Sequence, residues 1–351
     1  MTKATSARFR YRPLTAWLER FGALVLALAL LAGLMSPTAA QDATPAATPV
    51  ESTPATPGSG IPGLGGADIT ATVDAMLAVQ GADGGFIGFS GESDPGTTAD
   101  AVIGLAAAEE AGVDTGDAID EALSYLEAAG ADYAATGAGQ RAKLVLAVEA
   151  GGDDASSFGG EDIWAPIEAT SDDSDLTITG SFSLSLVVLA ALVVESDRTA
   201  EFTDLLVANQ LEDGSWASEP DAASGKGDTN TTALAIQALV AAGDVEDPAI
   251  ESGLDYIATV RAPRGGYAYQ PPVDGATIVP DANSSALVLQ ALVATMTPVD
   301  DPTFQQDAAA LAAFQNDSGQ FRYTNDTPDD NLFATVQALP AIAGLPLPIA
   351  A

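Results

Sequence analysis

The residues of this chain whose type and spacing suit chemistry are acids and amides. Asp228-Thr-Asn230-Thr and Asp281-Ala-Asn283-Ser repeat one pattern, and Asp326-Thr-Pro-Asp329-Asp330-Asn331 gathers further carboxylates beside an amide. A carboxylic acid at Asp329 or Asp330 would be a general acid if it stood beside a reacting group, which makes these two the candidate catalytic residues. Asp228, Asn230, Asp281, Asn283, Asp329, Asp330 and Asn331 together form the candidate polar rim of a ligand site. Hard oxygen donors also raise calcium at Asp172-Asp173-Ser-Asp175 and around Asn325 and Asp326, although neither run has EF-hand spacing. The simpler reading of each cluster is a helix cap with solvated acids. The sequence therefore predicts no resident metal or cofactor.

What is missing narrows the chemistry further. The chain has no histidine and no cysteine. A Cys/His zinc site, a Ser-His-Asp or Cys-His nucleophile and imidazole catalysis near neutral pH are all unavailable. Lys+Arg number 12 against 49 Asp+Glu, a formal net charge of −37. Such a field repels nucleic-acid phosphates and anionic lipid headgroups, so neither is expected as a partner. A small molecule or a protein remains.

Several elements must position these residues. Lys3, Arg8, Arg10, Arg12 and Arg20 precede an uncharged apolar run from Phe21 to Met35, and Thr38-Ala39-Ala40 supplies small residues before Gln41. Residues 1–40 read as a secretory signal peptide, the run being shorter than the ~20 residues a spanning helix needs. Residues 41–66, rich in Pro, Thr, Ala and Gly, read as a disordered linker. From 67 to 345 apolar residues recur at three- and four-residue spacing in short blocks. Six pairs are predicted. First members lie near 69–80, 117–129, 161–169, 199–211, 248–261 and 303–315. Second members lie near 97–111, 138–150, 180–195, 230–242, 283–295 and 331–343. The second members open on Asp or Asn and then Ser/Thr, an N-cap signature, and are nearly uncharged on every face. The last copy aligns with a small slip at Val336-Gln337-Ala338-Leu339. Residues 346–351 form a tail.

One phrase punctuates the pairs. It runs Gln80-x-x-x-Gly84-x-Phe86, Gln210-x-x-x-Gly214-x-Trp216, Arg261-x-x-x-Gly265-x-Tyr267 and Gln315-x-x-x-Gly319-x-Phe321. The glutamine amide can satisfy backbone groups at a helix end, the glycine supplies a left-handed turn, and the aromatic packs across it. The pairs near 117–195 lack it.

The phrase resembles the QW motif of the squalene cyclase and protein prenyltransferase repeat family, and the resemblance spans about 67–344. It implies an all-α fold, an α/α toroid of six inner and six outer helices around a cavity, in the terpenoid cyclase superfamily. The chemistry of that superfamily fits poorly. The prenyltransferase zinc needs Cys and His, and the thioester branch needs Cys. The cyclase Asp-x-Asp-Asp is altered to Asp228-x-Asn230-Thr231 and Asp281-x-Asn283-Ser284, and Asn is no Brønsted acid. With 6% aromatic residues the chain is thinly provisioned to steer carbocations. The reading is an exported, non-catalytic binding or interaction module of the cell surface or extracellular space. The alternatives are a divergent cyclase using an Asp as general acid and a cobalamin-carrier-like binder. N-terminal sequencing of the exported protein is expected to begin at Gln41. A chain that retains Met1 would make the leader an anchor.

Overall fold

The computed structural model describes residues 60–170, 178–219, 226–243 and 245–349. The leader, the linker to residue 59 and the Asp172-Asp173-Ser-Asp175 cluster lie outside the described residues. Twelve helices occupy what is described. They are α1 (Ile69–Leu77), α2 (Pro95–Glu110), α3 (Ala118–Ala134), α4 (Ala138–Ala150), α5 (Ala165–Glu168), α6 (Gly180–Val193), α7 (Thr199–Ala208), α8 (Thr229–Ala241), α9 (Pro248–Thr259), α10 (Ala282–Ala294), α11 (Pro302–Ala312) and α12 (Leu332–Ala343).

The even-numbered helices form the inner ring. Each packs on the inner helices before and after it, and α12 packs back on α2, which closes the circle. The odd-numbered helices lie outside, most of them resting on the inner helix that precedes them in the chain, with α1 resting on α12. This is the α/α toroid. The inner helices are buried on most of their surface, α10 from Ala282 through Ala291, which is why their sequences are apolar nearly all round. The outer helices expose one face, as at Glu121 and Glu251.

The first turns follow from local chemistry. Asp94, Asp228, Asp281 and Asn331 each accept a hydrogen bond from a backbone N–H in the first turn of α2, α8, α10 and α12, satisfying donors that have no partner within the helix. Counted from these caps the four copies need no slip. Asn331 is equivalent to Asp228, so Gln337 stands level with Leu234 rather than with Gln237. The slip inferred from sequence came from matching the Gln-Ala-Leu run instead of the cap.

The repeated phrase works between units. Gln80 Nε2 donates to its own Gly84 carbonyl and to Ala118 O at the start of α3, both at 2.9 Å. Gln210 does the same to Gly214 O and to Ala249 O of α9. Gln315 reaches Asp68 O at 2.8 Å, tying α11 to α1 and closing the outer ring. The glycine is pressed against the next outer helix. A Cβ on Gly84, Gly214, Gly265 or Gly319 would collide with the carbonyl oxygen of Glu121, Ser252, Gln306 or Ala71 respectively, and all four have positive φ. The aromatic residue then latches the inner helix of its own pair. Phe86 N, Trp216 N, Tyr267 N and Phe321 N donate to Thr98, Thr232, Ser285 and Thr335 hydroxyls at 2.9–3.0 Å.

Departures from the phrase are compensated. Arg261, in the glutamine place, donates from Nε to both Asp307 oxygens at 2.9 Å, and Tyr267 Oη donates to Asp307 at 2.6 Å. Asp307 is fully buried, so the carboxylate and the arginine come as a set. Around α5, where the phrase is absent, Arg198 donates to Ile167 O, Glu168 O and Thr170 O. It covers the last carbonyls of α5 from the start of α7.

Three features were not expected. Residues 60–66, read from sequence as the end of the disordered linker, are folded: Ile61 N donates to Thr70 Oγ1 at 3.0 Å and a 3-10 turn occupies Leu64–Gly66. A hairpin of β1 (Arg322–Thr324) and β2 (Thr327–Asp330) precedes α12. After α12 the tail crosses the far end of the ring, where Leu347 N donates to buried Gln237 at 3.0 Å and Gln290 donates to Leu345 O.

The glycine contact yields a controlled test. Gly214→Ala must push the backbone of α9 aside and is expected to lower unfolding free energy by about 3 kcal/mol. Gly243 has φ +94 with nothing within 4 Å of a Cβ, so Gly243→Ala should cost only about 1 kcal/mol. Equal losses in urea unfolding would mean that φ alone, not the close approach, explains the glycines.

Candidate functional site

Register from the caps decides which side chains face the ring interior. Thr232 is latched outward to Trp216, and Ile236 abuts Gly253 of α9. Asn230, Leu234 and Gln237 lie on the opposite face of α8, toward the interior. Equivalent positions form layers across the ring. In α6 the cap Thr179 makes no side-chain bond. There Ser181 N donates to Ala217 O in the segment after Trp216, as Thr229 N donates to Tyr269 O in the segment after Tyr267, which sets Phe182 and Leu186 level with Asn230 and Leu234. The first turn contributes Gly96, Gly139, Phe182, Asn230, Asn283 and Phe333. The second contributes Asp100, Lys143, Leu186, Leu234, Leu287 and Gln337.

In this second layer Leu186, Leu234 and Leu287 are buried, and they close much of the ring as a floor. Lys143 Nζ lies 2.9 Å from both Asp100 oxygens. Their side chains remain 18% and 15% exposed, so the pair is reachable from the mouth. Burial acts to lower the Lys143 pKa, but the Asp100 charge overrides it and the net direction is up. Lys143 is thus held as the ammonium. Gly96 leaves room for Tyr133, whose ring would stand 3.2 Å from a Cβ there. Tyr133 has its pKa raised chiefly by burial, with Lys143 opposing and Asp100 adding to the rise.

The first layer is polar on one side. Asn283 Nδ2 donates to Gln337 Oε1 at 2.6 Å. The Oδ1 atoms of Asn230 and Asn283 are buried without any donor. Above them stands an aromatic rim. Tyr269 and Tyr323 are part-exposed, and Phe89, 82% exposed, packs on Phe333 with ring centroids 5.6 Å apart. Burial and the Asp228 charge push Tyr269 up to about 12.

The sequence-predicted residues divide into three groups. Asn230 and Asn283 face the interior. Asp228 and Asp281 are buried caps whose oxygens are occupied by the N–H and hydroxyl of Thr231 and of Ser284, and Asn331 is the equivalent cap of α12. Asp329 and Asp330 lie on exposed β2. Asp330 accepts there from Asn316 and Ser318, at 2.7 and 2.8 Å. These two are not brought to the mouth with the amides. The packing aromatics Trp216, Tyr267 and Phe321 are buried. Among the described residues no cluster of His, Cys, Asp or Glu is arranged to hold a metal ion.

Asp100, Lys143, Tyr133 and Gln337 escaped the sequence reading. Their signal was available, since Asp100 and Lys143 put charges in mid-helix where the neighbouring residues are apolar. The Ala-, Leu- and Val-rich residues around them, which make these helices read as nearly uncharged on every face, mask it.

No family profile and no curated protein matches the chain. Solved structures do match in fold. A protein from Actinoplanes aligns with TM-score 0.56 at 16% identity, covering 79% of this chain and 98% of that one. The type II terpene cyclase MstE from Scytonema aligns with TM-score 0.53 at 17% identity, over 78% and 96% of the two chains. The GH76A α-1,6-mannanase from Salegentibacter aligns with TM-score 0.57 at 12% identity, over 79% and 97%. At these identities the likeness establishes the α/α-toroid fold, which cyclases and glycosidases share.

Burial raises the pKa of Asp228 and Asp281, against the lowering effect of their cap hydrogen bonds. The folded state therefore binds these protons more tightly than the unfolded chain. Their contribution is full below the unfolded pKa and is lost as pH rises through the folded value. Asn caps α12 without this penalty, so Asp228→Asn should gain stability relative to the parent as pH rises from about 4 to 7. Urea unfolding of both proteins across that range tests it, and a relative gain on acidification instead would reverse the assignment.

Proposed function

We propose that this chain is an exported, non-catalytic α/α-toroid module that binds a small molecule at the ring mouth, where the inner helices begin. The observation that carries the reading is the chemistry of the interior. The places where a toroid cyclase would present an acid hold the amides Asn230 and Asn283. The interior carboxylate Asp100 has both oxygens 2.9 Å from Lys143 Nζ, so it is engaged within the chain rather than left free to meet a substrate. Asp228 and Asp281 have raised pKa values, but both oxygens of each are engaged in capping their own helix. Leu186, Leu234 and Leu287 are buried, so half of the positions in the second layer are filled by the chain's own apolar side chains.

Export is supported by the leader pattern of residues 1–40. No helix among the described residues is long and apolar enough to cross a membrane.

Incubation with squalene, geranylgeranyl diphosphate and a prenylated phenol is expected to give no cyclised product. Native mass spectrometry of the exported protein is expected to show a bound small molecule. Cyclised product that disappears in Asp100→Asn or Asp330→Asn would establish the enzyme reading in its place.

A further inference from the structure

We propose that the polar half of the ring floor is a subsite for a neutral, hydroxyl-rich ligand, a sugar ring or comparable polyol; this rests on the mouth being a ligand site. Around the second layer the residue types are sorted. Gln337, Asp100 and Lys143 stand on the adjacent helices α12, α2 and α4, and Leu186, Leu234 and Leu287 on the adjacent helices α6, α8 and α10. Leucine serves the fold on one half. A largely desolvated ion pair is at best equal to apolar packing at such a position, so the polar half is not explained by stability. Nor is the first layer. Asn283 is 3% exposed, yet its Oδ1 has no donor, and the Asn230 side chain makes no hydrogen bond among the described residues. These two oxygens are polar atoms that the chain buries and does not use.

Charge and hydrogen-bond inventory select the ligand class. An anion would have to displace Asp100 from Lys143 inside a protein of net charge −37. A cation drawn to Asp100 would stand beside Lys143. A neutral ligand meets neither repulsion. The lining offers ammonium donors, carboxylate acceptors and amides that are both. A hydroxyl, donor and acceptor at once, matches all three. Tyr269, Tyr323 and Phe89 add exposed aromatic faces at the rim for the apolar face of a ring.

The test uses the mature chain and saturation-transfer NMR. The probes are glucose, mannose, galactose and their linear oligomers, with glucuronate and glucosamine as charged counterparts and geranylgeraniol as an apolar arm. A neutral saccharide is expected to bind with Kd below about 1 mM, and both charged counterparts at least about tenfold more weakly. Gln337→Leu, and Asp100→Leu with Lys143→Leu, install the residue that α6, α8 and α10 carry at this level. Each should weaken the neutral sugar tenfold or more. Gln337→Leu also removes the acceptor of Asn283 Nδ2 and should melt somewhat lower, so binding is measured well below each variant's own melting transition. Charged sugars binding as tightly, leucine variants binding normally, or no neutral sugar binding would each overturn the proposal. If geranylgeraniol or a charged probe alone binds and shifts the Tyr269 and Tyr323 resonances, the binding-module reading survives and this inference falls. If no probe binds and nothing co-purifies, both fall.

Discussion

The structure depends on one close approach: the glycine of each repeated phrase set against the backbone of the next outer helix. With hydrogen in place of a Cβ, the turn lies on a carbonyl oxygen of its neighbour. The glutamine two-pronged bond from Gln80, Gln210 or Gln315 can then span both units. The same turn aims the aromatic N–H at a hydroxyl of the inner helix. Outer-to-outer spacing, outer-to-inner spacing and the rotation of the inner helix are set together.

That rotation has a functional consequence. With Thr98, Thr232, Ser285 and Thr335 latched outward, the residue two positions later must face the ring interior. This places Asp100, Leu234, Leu287 and Gln337 in one layer. The interior is thus a by-product of the joint, and its chemistry is free to vary without disturbing the joint. The fold can carry cyclases, glycosidases and other activities for that reason.

The two ends of the ring are unlike. At the far end the glutamines repeated in α8 and α10, Gln237 and Gln290, hold the C-terminal segment. At the near end Asn230 and Asn283, repeated in the same two helices, have oxygens with no partner within the chain. Equivalent pairs of amides thus serve a structural purpose below and are left over above. The mouth is where the chain has polar capacity to spare.

Much of this was legible from residues alone. The phrase, the Asp/Asn caps and the apolar periodicity determine six helix pairs, because turn, cap and amphipathic face are local properties of neighbouring residues. The absence of His and Cys removes whole classes of chemistry whatever the fold. Tertiary structure decided the rest. Only packing shows that the glutamines reach the next helix rather than their own. Caps and interior amides alternate along the same few residues, so Asp228 and Asn230 look alike in sequence and are separated by about 200° of helical rotation. Asp329 and Asp330 were drawn toward the site by proximity in sequence and held outside it by a hairpin. Asp100 and Lys143 lie 43 residues apart and become a pair only when α2 and α4 are neighbours in the ring, since a distance between side chains is not a property of either helix alone.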